Sequence, residues 1–170
     1  AVTGAPNASD AAGNQGAVQV FDAVTGNWVR KLLPPGVPAL NSYFGSSVAI
    51  SGSLAVIGAP GVSSNAGLVY VYDLATGALK KTLQANDAAA NDHFGHSVAI
   101  RGGLVAVGAP YKAGVKGAVY LFQLSDGVQV GKIQAGDGVA GDAFGLALAM
   151  EGNILAVGSP GAGNEIGAAY

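Results

Sequence analysis

An all-β protein built from one short unit repeated in series is predicted by three observations. First, Phe44-Gly45, Phe94-Gly95 and Phe144-Gly145 recur at a step of 50 residues (94 − 44 and 144 − 94). Gly58-Ala59-Pro60, Gly108-Ala109-Pro110 and Gly158-Ser159-Pro160 keep that step, as Gly117 and Gly167 do after Gly67. A fixed period of this size marks a supersecondary unit copied along the chain. Second, each unit consists of short apolar runs separated by turn residues, and no stretch has convincing helical periodicity. Third, the first three runs of a unit are apolar at even and odd positions alike, whereas the fourth carries Arg30-Lys31, Lys80-Lys81 or Lys132. A sandwich leaves one face of its sheets polar. Here both faces are expected to be covered, with a charged outer edge that discourages pairing. Four-stranded antiparallel sheets stacked between neighbours in this way are β-propeller blades.

The elements follow in order. Ala1 to Pro6 reads as the end of a second strand, because Ala1-Val2-Thr3-Gly4-Ala5-Pro6 matches Ala55 to Pro60. After a loop rich in Asn, Ser, Asp and Gly, Gly16 to Phe21 is the third strand, Val24-Thr25-Gly26 a turn, and Asn27 to Leu32 the fourth. Pro34, Pro35 and Pro38 break regular structure before Phe44. Ser46 to Ile50 and Leu54 to Ile57 are the next first and second strands, joined at Ser51-Gly52-Ser53. Gly58-Ala59-Pro60 ends the second strand, where a residue without an amide proton is tolerated. The segment from Gly61 to Ala66 reads as a variable loop, then Leu68 to Tyr72 and Leu79 to Leu83 complete the unit. About three blades result: a partial blade with linker at 1–43, blades at 44–93 and 94–143, and a partial blade at 144–170. Both ends cut through strands, and a ring needs about four to eight blades. The expectation is therefore an excerpt of a larger ring, or copies that complete one another.

Composition narrows the function. Only 11% of the 170 residues are charged and the net charge is −2 without a basic run, so nucleic acid has no electrostatic basis as a partner. No apolar stretch approaches the roughly 20 residues that span a bilayer as a helix. Cysteine is absent, which removes disulfides and thiolate metal sites.

Phe-Gly, then Gly-Ala-Pro, then strands such as Gly117-Ala118-Val119-Tyr120 resemble the FG-GAP repeat of integrin α-subunit propellers and many bacterial surface proteins. Asn91-Asp92-His93-Phe94-Gly95 and Gly141-Asp142-Ala143-Phe144-Gly145 are closest to the bacterial subtype. The resemblance implies that Phe-Gly opens the innermost strand and Gly-Ala-Pro leaves the second. It also implies a larger ring, an extracellular or cell-surface location and a role in recognition or adhesion. One departure stands out. Many integrin-type repeats hold calcium between the first two strands with alternating Asp or Asn, since the ion takes several oxygens. The corresponding residues here are Ser51-Gly52-Ser53, Arg101-Gly102-Gly103 and Glu151-Gly152-Asn153, so that site does not carry over.

Few residues offer chemistry. Asp87 with Asp92, and Asp137 with Asp142, recur before Phe-Gly and would give calcium two carboxylates each. Turn residues that accept backbone N–H bonds fit better, because Asn41 replaces the second carboxylate in the first copy and Val37 or Pro38 the first. His93 and His96 flank Phe94-Gly95 without a third ligand for zinc or a nucleophile to serve, and read as surface or groove residues. The glycines form no phosphate-loop motif. Among Trp28, Tyr43, Tyr72 and Tyr111, Tyr111 is the ligand-contact candidate, because it sits in a variable loop, whereas Tyr72 belongs to a blade strand. Asn7-Ala8-Ser9 fits the N-glycosylation sequon.

No catalytic and no cofactor-binding residue is expected. The leading expectation is a non-catalytic binding module whose specificity lies in the loops at 61–66, 111–116 and 161–166, with a protein or a carbohydrate as its ligand. Two rivals are a self-assembling structural protein and a non-catalytic part of a larger enzyme.

Overall fold

Antiparallel sheets account for nearly all regular structure in the computed structural model, which describes residues 1–10, 13–36 and 41–170. Val37 and Pro38 lie outside the described residues. The strands are β1 (Val2–Ala5), β2 (Ser9–Asp10), β3 (Gly13–Asn14), β4 (Ala17–Phe21), β5 (Trp28–Leu32), β6 (Ser47–Ser51), β7 (Leu54–Ala59) and β8 (Leu68–Asp73). They continue as β9 (Leu79–Leu83), β10 (Ser97–Arg101), β11 (Leu104–Ala109), β12 (Ala118–Gln123), β13 (Gln129–Ile133), β14 (Ala147–Glu151), β15 (Ile154–Ser159) and β16 (Ala168–Ala169). Four sheets form from neighbours in sequence: β1-β4-β5, β6-β7-β8-β9, β10-β11-β12-β13 and β14-β15-β16. A small ribbon, β2-β3, stands apart from them. The fold is all-β with propeller blades, as the repeat predicts.

The register repeats with the sequence. Ser47 faces Gly58, Ser97 faces Gly108 and Ala147 faces Gly158. Each pairing of third and fourth strand slips at one place, between Val20 and Phe21, Val71 and Tyr72, and Leu121 and Phe122. Such irregularities increase local twist, and in the second and third sheets they precede an aromatic residue of the core, Tyr72 or Phe122. The fourth strands are the outer, largely exposed edges. The first strands β6, β10 and β14 lie side by side.

The cores lie between sheets rather than within them. Val18, Val20 and Leu32 of the first sheet pack with Phe44, Ile57, Tyr70 and Tyr72 of the second. Val56, Val69, Val71 and Leu83 pack in turn with Phe94, Val105, Tyr120 and Phe122 of the third. A smaller cluster of Ala106, Val119, Phe144 and Val157 joins the third to the fourth. Both faces of a middle sheet must therefore be apolar, which explains why its strands do not alternate. Burial at roughly 25 cal/mol per Å² makes these faces the main stabilising term.

Three four-residue helical turns interrupt the expected loops, at Val62–Asn65, Lys112–Val115 and Ala162–Glu165. In the first, Ser63, Ser64 and Asn65 have φ of 54°, 57° and 62°. Left-handed backbone costs roughly 1–2 kcal/mol per non-glycine residue, so no propensity rule would place it there. Tertiary contacts hold it: the amides of Asn91, His93 and Phe94 donate to the carbonyls of Ser64, Asn65 and Ala66.

Candidate functional site

Phe-Gly is the joint on which each pair of sheets closes. Phe94 is fully buried, with its ring 5.6 Å from that of Tyr120 and 5.7 Å from that of Phe122. Gly95 has φ +89°, which only glycine adopts without strain. Its carbonyl lies against Gly58 of the preceding sheet, where an added Cβ would stand 2.0 Å away, and it accepts a 2.8 Å hydrogen bond from Ser47 Oγ. One unit later, the Gly145 carbonyl lies 2.1 Å from a Cβ built on Gly108 and accepts from Ser97 Oγ at 2.6 Å. The first glycine of Gly-Ala-Pro thus makes room for the carbonyl of the next Phe-Gly. Ala59, Pro60, Ala109 and Pro110 are buried behind this contact, whereas Pro160 is exposed.

A family model described as the FG-GAP repeat matches residues 29–72, 79–122 and 128–170, which is most of the chain. The chain belongs to the FG-GAP repeat family. None of the curated proteins compared matches it significantly. Each matched FG-GAP repeat begins at or near the outer strand of one sheet and ends on the third strand of the next, so the sequence unit straddles the joint it builds.

Around the FG-GAP joints, the carboxylates act within the fold. Asp92 is buried, and its Oδ2 accepts from the Ala89 amide at 2.8 Å and from Lys112 Nζ at 2.7 Å. Asp87 accepts from Tyr120 Oη and Lys132 Nζ, both at 2.7 Å, and its backbone carbonyl accepts from Lys112 Nζ. Burial pulls the Asp87 carboxyl up, but the bonds from Lys132 and Tyr120 and the nearby Lys112 charge outweigh it and hold the group below its ordinary value. Burial and the Asp87 carboxylate push the Tyr120 phenol far up, so it stays a donor. An ammonium therefore stands between Asp87 and Asp92, where a shared cation would have to sit.

In the next copy, Asp142 Oδ2 accepts from the Val139 amide at 2.7 Å and Asp137 Oδ1 from Tyr170 Oη at 2.9 Å, with buried Ala162 in the place of Lys112. Calcium takes six to eight oxygens, and among the described residues no three His, Asp or Glu side chains cluster to hold a metal. In the first copy the structure corrects the alignment. Ser42, not Asn41, occupies the Asp92 position, and its buried Oγ donates to the Gln15 carbonyl. Asn41 instead matches Asn91, with φ of 59° and 66°.

The turn before Phe-Gly and the segment after Gly-Ala-Pro form one continuous face. Gly61 donates to the Ser42 carbonyl and Gly161 to that of Asp142, while Asn65 Nδ2 donates to Asn91 Oδ1 across the joint. On this face the His93 ring packs 4.7 Å from the Tyr111 ring, and His96 lies 6.3 Å from it. Burial, and secondarily His96, lower the His93 pKa against the opposing pull of Asp92. Tyr111 is 42% exposed and Tyr43 36%, so both offer ring surface to a ligand. Nothing in the sequence signals that the His93 and Tyr111 rings meet, since 18 positions separate them (111 − 93).

The other candidates lie apart. Tyr72 is buried and donates to the Leu33 carbonyl at 2.7 Å, and Trp28 is exposed on the outer strand β5. Asn7 is exposed in the turn after β1. A cavity of about 590 Å³ lies between the third and fourth sheets and is lined mainly by Leu104, Leu121, Ile133, Met150, Ile154 and Leu155. Among the described residues no helix is long and apolar enough to cross a membrane.

Proposed function

We propose that this FG-GAP propeller segment is a non-catalytic recognition module of an extracellular or cell-surface protein, with its ligand surface on the face that carries Tyr43, His93, His96 and Tyr111. The observation that supports it is where the units differ. Phe-Gly stays constant at the joints, while the partly or well exposed positions beside it read Tyr43, His93 and Ala143, and then Gly61, Tyr111 and Gly161. Variation on one face over a fixed scaffold is the usual arrangement of a binding surface. The half-exposed Tyr111 ring, supported by His93, suits stacking on a sugar or a peptide side chain, and no strong charge calls for an ionic ligand. The reading of this face as one for recognition is supported by its polar groups being engaged within the fold, Asp87 and Asp92 with Lys112, Tyr120 and Lys132, and the histidines against Tyr111.

The test is a direct binding screen of the purified chain against neutral glycans and extracellular matrix proteins, repeated with Tyr111→Ala and His93→Ala. A ligand whose affinity falls at least tenfold in either variant, with melting temperature preserved, supports the proposal. Binding that ignores both substitutions, or no binding across the panel, counts against it.

A further inference from the structure

Each joint carries, on the face described above, one position from the turn before Phe-Gly and one from the segment after Gly-Ala-Pro. At the first joint these are Tyr43 and Gly61, and the Tyr43 ring lies so close to Gly61 that an added Cβ would meet its Cδ2 at 2.7 Å. At the second they are His93 and Tyr111, whose rings meet at 4.7 Å. At the third they are Ala143 and Gly161, with no ring at all. Two neighbouring joints therefore each expose one phenol, Tyr43 at 36% and Tyr111 at 42%. The ground between them is the segment 61–65 and the turn 91–93. It offers the exposed Ser63 and Ser64 and the exposed Asn91, whose Oδ1 accepts from Asn65 Nδ2 at 3.2 Å. Its one carboxylate, Asp92, is buried and paired with Lys112 at 2.7 Å. Burial lowers the His93 pKa, so that ring is uncharged at neutral pH. The platform is also rigid. Every non-glycine residue with left-handed backbone, among the described ones, lies in the turns before Phe-Gly or the segments after Gly-Ala-Pro, at φ from 53° to 67°. Amide-to-carbonyl bonds across the second joint hold them, Asn91 to Ser64 and His93 to Asn65.

We infer that Tyr43 and Tyr111 are two stacking platforms of one extended site for a neutral oligosaccharide, whose hydroxyls meet Ser63, Ser64 and Asn91 between them. The inference rests on the recognition reading proposed above and names its ligand. The C–H face of a pyranose is apolar and faintly positive, and it seats on the negative face of an aromatic ring. Hydroxyl and carboxamide groups both donate and accept, as sugar hydroxyls do. A charged ligand would find no free counter-charge between the rings among the described residues. A peptide is taken up along a free sheet edge or in an apolar groove, whereas this face consists of turns and strand ends that expose serine and asparagine. A rigid platform loses little freedom on binding, which suits a ligand held by few and weak contacts. The absence of a ring at Ala143 and Gly161 sets the limit of the site on that side.

The test is titration calorimetry of the purified chain with linear glucan, mannan, xylan and galactan oligomers, each short and long, and with heparin as the acidic comparison. One neutral series is expected to bind, and to bind more tightly once the oligomer is long enough to reach both rings. Tyr43→Ala and Tyr111→Ala should each weaken the long oligomer about tenfold and leave it no better than the short one. Tyr43→Phe and Tyr111→Phe keep the rings and should keep the length dependence. Melting temperature checks the fold of every variant. Tyr43→Leu and Tyr111→Leu, which keep apolar bulk without an aromatic face, replace an alanine variant that misfolds. Affinity that does not depend on oligomer length, or that ignores Tyr43→Ala, overturns the inference, and so does tighter binding of heparin than of every neutral series. Failure of all neutral oligomers to bind overturns it as well. In that case a protein ligand lost on Tyr111→Ala leaves the recognition reading standing, whereas no ligand of either kind ends both.

Discussion

The joint between the second and third sheets and the joint between the third and fourth are built on the same motif and differ in their charge. At the former, Lys112 lies buried between Asp87 and Asp92, with Tyr120 and Lys132 completing the network. At the latter, Asp137 and Asp142 keep their places while buried Ala162 replaces the lysine. The joint between the first and second sheets goes further, with Ser42 and Val62 in place of Asp92 and Lys112. All three place a Phe-Gly carbonyl against a glycine at about the same distance. Close backbone packing is thus the common requirement, and the ion pair is one of several ways to fill the space beside it. That agrees with the general finding that a buried ion pair roughly balances its own desolvation, yet is costly to break from one side.

The widest separation between joints should come from glycine. Gly108→Val forces a side chain into the Gly145 carbonyl and should cost more than about 4 kcal/mol, in the range that unfolds a marginal domain. Gly158→Val should cost less, about 1–3 kcal/mol, because its Cβ would meet the Ala147 methyl at 3.3 Å and no backbone carbonyl closer than 3.7 Å. Thermal melts of the two variants test the contrast, and equal losses would break it.

Next comes the ammonium. Lys112→Val leaves Asp92 buried beside Asp87 without its partner and should cost about 3–5 kcal/mol. The double variant Lys112→Val with Asp92→Ser installs the pair found at the first joint and should recover much of that loss. A double-mutant cycle by urea denaturation reads the coupling; strictly additive losses would mean that the ion pair is not a unit.

A smaller effect belongs to the hydroxyl. Ser97→Ala removes the buried bond to the Gly145 carbonyl and should cost about 1 kcal/mol. Ala147→Ser, with no carbonyl to meet, should gain nothing measurable in the same melts.

The smallest effects concern pH. Asp87 is held below its ordinary value of 3.8, so its contribution is present above that value and is lost as pH falls through the lower folded one. His93 is depressed from 6.5, so the unfolded chain takes up its proton first and stability falls as pH drops below that value. His93→Gln should flatten the slope of melting temperature between neutral pH and about pH 5, and an unaltered slope would place the titration elsewhere.

Much of the scaffold was legible in the sequence because its causes are local or periodic. The step between Phe44, Phe94 and Phe144 reports a repeated unit whatever its contacts, and the lysines at 80–81 mark an outer edge by chemistry alone. The helical turns were not legible. Ser63-Ser64-Asn65 has no composition that asks for left-handed backbone, and the amides that stabilise it lie 27 to 28 residues ahead (91 − 64 and 93 − 65). The alignment of Ser42 with Asp92 was missed by one position, because Asn41 looked chemically closer to aspartate. The contact of the His93 and Tyr111 rings, tilted by 51°, joins a turn to a loop that only the folded sheet brings together.

By itself, then, the sequence determined the β class, the unit, its strand order and the residues that join one unit to the next. These follow from backbone rules that act within a few residues and from a period that any fold must honour. The tertiary structure alone decided which carboxylates meet a cation, which glycines are crowded and which aromatic rings share a face. Those outcomes depend on where neighbouring sheets put their carbonyls, ammonium groups and rings, and such distances are set only when the sheets pack.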